Sequence, residues 1–224
     1  MKPWRDWPWA AKLSVLFGTL AILPLAVTSL LNGAATHSEL IEATWDHNLQ
    51  RARSTAAEID GHFDRVLSDL RVVALSPGTV RFLTGDRSPE LRSDVQVTLD
   101  LMQRTHGFDS VILADPSGTV LLSTDARLEG DNLIATRYFL DAVAGNSRVH
   151  EPRYDPESGA VFLHASVPVR QPGGPVVGVA VGRIPLSILD RLLTEDTGFA
   201  GRSEFGVLWD SRGVRLSHSP PPPP

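Results

Sequence analysis

The side chains best able to hold a metal or move a proton are seven histidines, His37, His47, His62, His106, His150, His164 and His218. No two of them on a helix stand four residues apart, the spacing that puts two imidazoles on one face for a metal ion, so no metal site is expected. His164 and Ser166 point to the same side of one strand, which is half of a base and nucleophile pair. No glycine-flanked serine elbow accompanies them, and hydrolysis has no motif behind it. Gly173-Gly174 and the glycines from Gly178 to Gly182 fall in a turn and a strand, whereas a phosphate loop needs them between a strand and a helix. The chain has no cysteine, hence no disulfide framework, thiolate metal site or cysteine nucleophile. A net charge of -5, with no cluster of Lys and Arg, excludes a general nucleic-acid binder. What remains is recognition of a ligand or partner: neither catalysis nor a cofactor is expected of these residues.

The elements that would position a recognition site begin with location. Leu13 to Leu31 reads LSVLFGTLAILPLAVTSLL without a charge, long enough to cross about 30 Å of hydrocarbon as a helix. A cleaved signal peptide is the alternative, but its apolar core is usually only about 7 to 15 residues. Lys2, Arg5 and Lys12 with Trp4, Trp7 and Trp9 precede the span, and Glu39, Glu42 and Asp46 follow it. That asymmetry puts residues 1–12 in the cytoplasm and everything after about residue 33 outside it, as a single-pass inner-membrane protein with a periplasmic or extracellular domain. From 37 to 75 apolar residues recur in threes and fours: Ile41, Trp45, Leu49, Ala52, Ala56, Ile59, Phe63, Val66, Leu70 and Val73. This is one face of a helix, about 60 Å long, expected to serve as a stalk. Its stripe needs a partner, either a second copy in a homodimer or the domain that follows; both uses are expected along its length.

Beyond the stalk, Pro77-Gly78 ends the helix, a helical turn runs from Val80 to Leu83, and Ser88-Pro89 opens a helix to about Thr105 stopped by Gly107. The period then changes. Ser110 to Ala114 and Thr119 to Thr124 are strands joined by Asp115-Pro116-Ser117-Gly118, and a helix is predicted from Leu133 to Ala144. Three further strands follow, at Arg148 to Tyr154, Ala160 to Arg170 and Val176 to about Arg183. The order predicts an α+β domain at 76–184 with a five-stranded antiparallel sheet. A helix from Pro185 to Leu193 and a hairpin within 205–219 come next, before a proline tail at 220–224. VLWDSRGVRLS in this hairpin repeats the pattern of VILADPSGTVLLS in the first. Residues 185–219 are therefore read as the start of a second module of the same kind, and the chain as a fragment or truncated product of a longer protein.

NLIATRYFLDAVAG from Asn132, SVPVR from Ser166 and VVGVAVGRIPLSIL from Val176, in this order behind an apolar span and a long helix, resemble the double Cache sensor family. The resemblance covers roughly residues 10 to 219 and implies PAS-like modules outside the membrane, the distal one holding the ligand between its aromatic-bearing helix and its sheet. It places Arg137, Tyr138 and Phe139 at the site. In the amino-acid-binding branch of that family an Arg grips the carboxylate, a Tyr follows a Glu-Pro, and an Asp at the end of the last strand holds the ammonium. Here those positions are Ala135, with Arg137 displaced toward the aromatic pair; Arg153, after Glu151-Pro152; and Arg183.

A buried ammonium beside Arg183 would face a like charge, whereas a guanidinium fork suits carboxylate or phosphate oxygens. Alternation puts Val177, Val179, Val181 and Arg183 on one face of the last strand, expected to line the pocket. Gly178, Ala180 and Gly182 lie on the other face, open to a close-packed helix. Pairing of Arg153 and Arg183 with Glu151 or Asp155 is the competing reading. The resulting expectation is a small organic anion, such as a mono- or dicarboxylate, held by Arg137, Tyr138, Phe139, Arg153 and Arg183. Its binding would shift the long helix to signal to a missing output domain, that of a sensor histidine kinase, a chemoreceptor or a cyclic-nucleotide signalling enzyme. An anchored protein-interaction module with no small ligand is the alternative of another class.

Overall fold

The computed structural model describes residues 8–193, 207–209, 213 and 215–218. The chain divides into two units, Met1–Ser54 and Thr55–Pro224, and each is taken by itself. Helix α1 spans Trp9–Leu75, with Pro24 inside it. The expected membrane segment and stalk are thus one continuous element, which Asn32-Gly33 does not interrupt. In the first unit most side chains between residues 10 and 44 lie outside the described ones, while Leu13, Phe17, Ile22, Leu23 and Val27 are exposed, as are Trp45 and Leu49. Among the described residues no helix is long and apolar enough to cross a membrane.

In the second unit the stripe of α1 goes underground. Ala56 is still exposed, but Ile59, Val66, Leu70 and Val73 are buried, with Leu70 and Val73 at 0% exposure. Burying one such side chain contributes about 1.5–3 kcal/mol, so this half of the helix is fixed by the domain it packs on. The proline at 77 that stops α1 also opens α2, Pro77–Leu83, three residues before the turn expected at Val80, because a missing N–H costs nothing at a helix's first position. Helix α3 covers Pro89–His106, and Gly107 ends it in the left-handed conformation at φ 71°, which a glycine adopts without strain.

Strands β1, Ser110–Ala114; β2, Val120–Ser123; β3, Arg148–Asp155; β4, Ala160–Arg170; and β5, Val176–Pro185 form an antiparallel sheet in the order β2-β1-β5-β4-β3. The β1–β2 turn is held by Asp115, whose Oδ1 accepts from the N–H of Ser117 at 2.9 Å and of Thr119 at 3.0 Å. Helix α4 is Arg137–Val143, shorter than expected. The Leu133 N–H donates instead to Gly118 O at 2.8 Å, so 133–136 is a loop tied to the first hairpin. Pro185 stays in β5, leaving only Ser187–Arg191 as α5. Val207–Trp209 (β6) pairs with Arg215–His218 (β7); the rest of the second hairpin and the proline tail lie outside the described residues.

The sheet separates two apolar clusters. Leu163, Ala165, Val167 and Val169 of β4 join α1, α2 and α3 in one, while Ile112, Val120, Val179 and Val181 meet Leu133, Tyr138, Phe139 and Ala142 of the α4 side in the other. The glycine face of β5 explains how closely the helices approach. A Cβ on Gly178 would stand 2.5 Å from Ala114 O and 2.8 Å from Leu83 Cδ1, and one on Gly182 would collide with the Phe108 ring. The expected assignment of the glycine face therefore matches the structure.

Candidate functional site

A cavity of about 430 Å³ lies on the α4 side of the sheet, between the 131–136 loop, the end of β3 and the strands. Ile112, Val120 and Phe162 form its apolar wall, and Tyr138, Arg153, Asp155, His164 and Arg183 bring polar groups to it. A smaller cleft of about 280 Å³ adjoins it, lined by Arg137, Arg148, His150, Glu151 and Pro152, and shares Tyr138, Arg153 and His164 with it.

Register makes the site. Antiparallel pairing sets His164 directly opposite Arg183, and alternation turns both toward α4. Tyr138 from the first turn of α4 lies flat on His164, with ring centroids 4.5 Å apart and planes 1° from parallel. His164 is 8% exposed and its Nδ1 has no hydrogen-bond partner. Burial, reinforced by the charges of Arg183 and Arg153, holds its pKa down at about 4, so the ring is neutral near pH 7. Burial also raises the Tyr138 phenol, which stays protonated.

Arg183 enters the large cavity already engaged. Its Nη2 donates to Asp155 Oδ2 at 2.9 Å, its Nε stands 3.5 Å from Asp109 Oδ2, and the guanidinium carbon sits 4.0 Å from the centroid of the Phe162 ring. The side chain is 8% exposed. Asp155 accepts as well from Ser158 Oγ at 2.9 Å and from Glu157 N–H at 3.1 Å. These hydrogen bonds, Ser158 first, and the arginine hold its carboxyl below the usual carboxylate range.

Of the residues expected at the site, Tyr138 and Arg153 line both cavities, Arg137 the cleft and Arg183 the large cavity. Phe139 lines neither: at 1% exposure it belongs to the packing under α4. The valine face needs a similar correction. Val179 and Val181 are covered by that cluster, and Val177 packs with the opposite one, so β5 presents only Arg183 to the cavity. Asp131, Tyr154 and Arg148 were not anticipated. Asp131 comes in on the loop before α4, Tyr154 at the end of β3 and Arg148 at its start, and no periodicity marks such contacts. His164 was legible as a same-side partner of Ser166, and Ser166 does lie 3.2 Å from His150 Nε2.

No family model matches the chain, and no curated protein matches it. Solved structures do. The sensor domain of the Vibrio cholerae histidine kinase DctB superposes with a TM-score of 0.66 at 16% identity, covering 79% of this chain and 67% of that one. The sensory domain of the Campylobacter jejuni chemoreceptor Tlp3, with isoleucine bound, gives 0.64 at 15% identity over 81% of this chain and 73% of that one. The ligand-binding domain of the Pseudomonas aeruginosa amino acid chemoreceptor PctC, in complex with GABA, gives 0.52 at 27% identity over 73% and 70%. These neighbours are Cache-type sensor domains, not catalytic ones, and the chain has their fold.

Proposed function

We propose that this chain is the ligand-sensing part of a membrane-anchored signal-transduction receptor and takes a small organic anion beside Tyr138. The observation that supports this most directly is the cavity of about 430 Å³ where charged groups from β3, β5 and the 131–136 loop converge over an apolar floor; few, convergent polar groups in an apolar hollow are the usual form of a small-molecule site. Isoleucine and GABA, named in the Tlp3 and PctC structures, each carry a carboxylate and an ammonium; the carboxylate end is the part that suits the arginines here.

The remaining parts of the proposal rest on the sequence and on exposure. The uncharged run at 13–31 serves as an uncleaved inner-membrane anchor, its basic flank in the cytoplasm and the sheet domain outside. Trp45 at 72% and Leu49 at 47% exposure offer the upper stripe of α1 to a second copy in a homodimer. The output domain is that of a sensor histidine kinase, with a chemoreceptor or a cyclic-nucleotide enzyme as the other candidates.

A thermal-shift panel on the full chain in detergent tests the ligand class, setting carboxylates and phosphate against amino acids, amines and purines, where a shift with amino acids would refute the anion reading. A ligand at about 100 times its Kd adds roughly 2.7 kcal/mol, which a domain of this size registers as a shift of several degrees. Shifts with anions alone are expected. A folded sample that responds to nothing in the panel would overturn the reading in favour of a protein-interaction module. Retention in the membrane fraction through an alkaline wash checks the anchor; a shortened soluble product would mean a cleaved leader.

A further inference from the structure

We infer that the anionic end of the ligand is gripped in the smaller cleft by Arg137, Arg148 and Arg153, and that Arg183 is a strut tied to Asp155. The inference deepens the proposed function and rests on its claim that a small organic anion binds.

Charge balance carries the first step. The large cavity holds two guanidinium groups, Arg153 and Arg183, against two carboxylates, Asp131 and Asp155. Arg183 is the deeper cation, yet Asp155 already occupies its Nη2 at 2.9 Å, and Asp109 Oδ2 stands 3.5 Å from its Nε, which makes no hydrogen bond. An incoming carboxylate would have to approach Asp155 within a few ångströms or displace it. Either route loses to a cation without a partner, because a like charge at that distance opposes binding as strongly as the guanidinium favours it.

The cleft carries an excess of positive charge. Arg137, Arg148 and Arg153, the last shared with the large cavity, line it with Glu151 as the one carboxylate among its lining residues. Asp141, from α4 beside it, stands 3.7 Å from Arg148 Nη1 and 3.9 Å from His150 Nδ1, beyond hydrogen-bond length for both. Neither Arg137 nor Arg153 has an ion pair among the described residues. The field is felt locally: burial and then the charges of Arg148 and Arg137 lower the His150 pKa, with Asp141 opposing. Three forked donors around about 280 Å³ suit a carboxylate or phosphate group, either of which accepts several charge-assisted hydrogen bonds. Because the stacked Tyr138 and His164 line both hollows, the body of the ligand extends past them into the larger one.

Titration calorimetry on the full chain in detergent, with acetate, succinate and inorganic phosphate as separate probes, tests this and tells carboxylate from phosphate. Arg148→Ala should weaken the best probe about tenfold and Arg137→Ala/Arg148→Ala about a hundredfold, at roughly one charge-assisted hydrogen bond per arginine. Both side chains are exposed, so the fold survives, and Arg148→Lys should restore part of the loss. Unchanged affinity in the double variant overturns the inference. If Arg183→Gln then melts like the parent and loses the probe, the anion belongs to Arg183 and the proposed function stands. No binding of any probe to the parent chain overturns both.

Discussion

Replacing His164 with Gln gives a direct test of how this site is built. The imidazole lies flat against Tyr138, its Nδ1 is buried without a partner, and its pKa falls from 6.5 to about 4. A base whose pKa is lower folded than unfolded binds fewer protons in the native state, so stability is full above the unfolded value. It is lost as pH falls from about 6.5 toward 4, then levels off. At about 1.4 kcal/mol per unit, the shift corresponds to about 3 kcal/mol lost across that window. His164→Gln removes the titrating group while keeping a polar, planar side chain, so the variant's stability should fall less steeply between pH 6.5 and 4. His150 and His62 are also lowered and add the same sign to both proteins, which is why the difference between the two curves is the quantity to read. Urea unfolding of the full chain followed by circular dichroism suits the purpose, since no tryptophan lies between Trp45 and Trp209 to report on the sheet. Parallel curves across the window would refute the account of a buried, neutral His164.

Three further outcomes follow from the packing and the ion pairs. Gly178→Ala should destabilise by about 1–3 kcal/mol, since its Cβ meets the backbone oxygen of Ala114 and backbone yields poorly to overpacking; a variant that melts like the parent would place that contact elsewhere. Arg183→Ala should lower stability by about 2–3 kcal/mol, below the figure for a fully buried pair because Asp155 keeps 25% of its side chain in solvent. The same urea titration reads it, and an unchanged midpoint would remove the strut. Leu70→Ala, at a site with 0% exposure, should cost about 2–5 kcal/mol, whereas Leu49→Ala on the exposed half of α1 should leave monomer stability within about 0.5 kcal/mol and instead weaken any dimer measured by sedimentation.

What the sequence disclosed and what it hid divide along a physical line. Repeating signals were legible. The three-and-four stripe located α1, and two-residue alternation with Asp, Pro and Gly at the turns located every strand of the sheet and the glycine face of β5. Interruptions of a period were less so: Leu133 to Thr136 carry helix-forming residues, yet the Leu133 N–H is claimed by Gly118 O across the chain, and tertiary pairing overrides local propensity. The site was harder still. Arg183 could be assigned to the cavity face by counting, but whether its guanidinium was vacant depended on Asp155 and Asp109, which lie 28 and 74 residues earlier in the chain. Phe139 sits one position from Tyr138, and 100° of helix rotation separates a cavity wall from a packing residue.

The architecture also constrains how a ligand bound as proposed would act on α1. The cavity and the cleft lie on one face of the sheet, and the buried half of α1 packs in the cluster on the other, so any effect on the helix must pass through the strands. β5 is the strand placed to carry it. Arg183 faces the cavity, and its neighbour Gly182 faces the Phe108 ring without room for a methyl group. Asp109, the residue after Phe108, has its Oδ2 3.5 Å from Arg183 Nε. Contacts this close leave little slack, so a displacement of β5 would be passed on to the segment that follows α3. Direction still depends on affinity: a ligand biases α1 only as far as it binds one arrangement of these strands more tightly than the other. The Arg183 hydrogen bond to Asp155 ties β5 to the end of β3, and on the proposed function a ligand held by Arg153 would act on β3, two strands from β5 in the sheet. β4 lies between those two strands, so under that proposal the coupling would run through β4, where His164 pairs with Arg183.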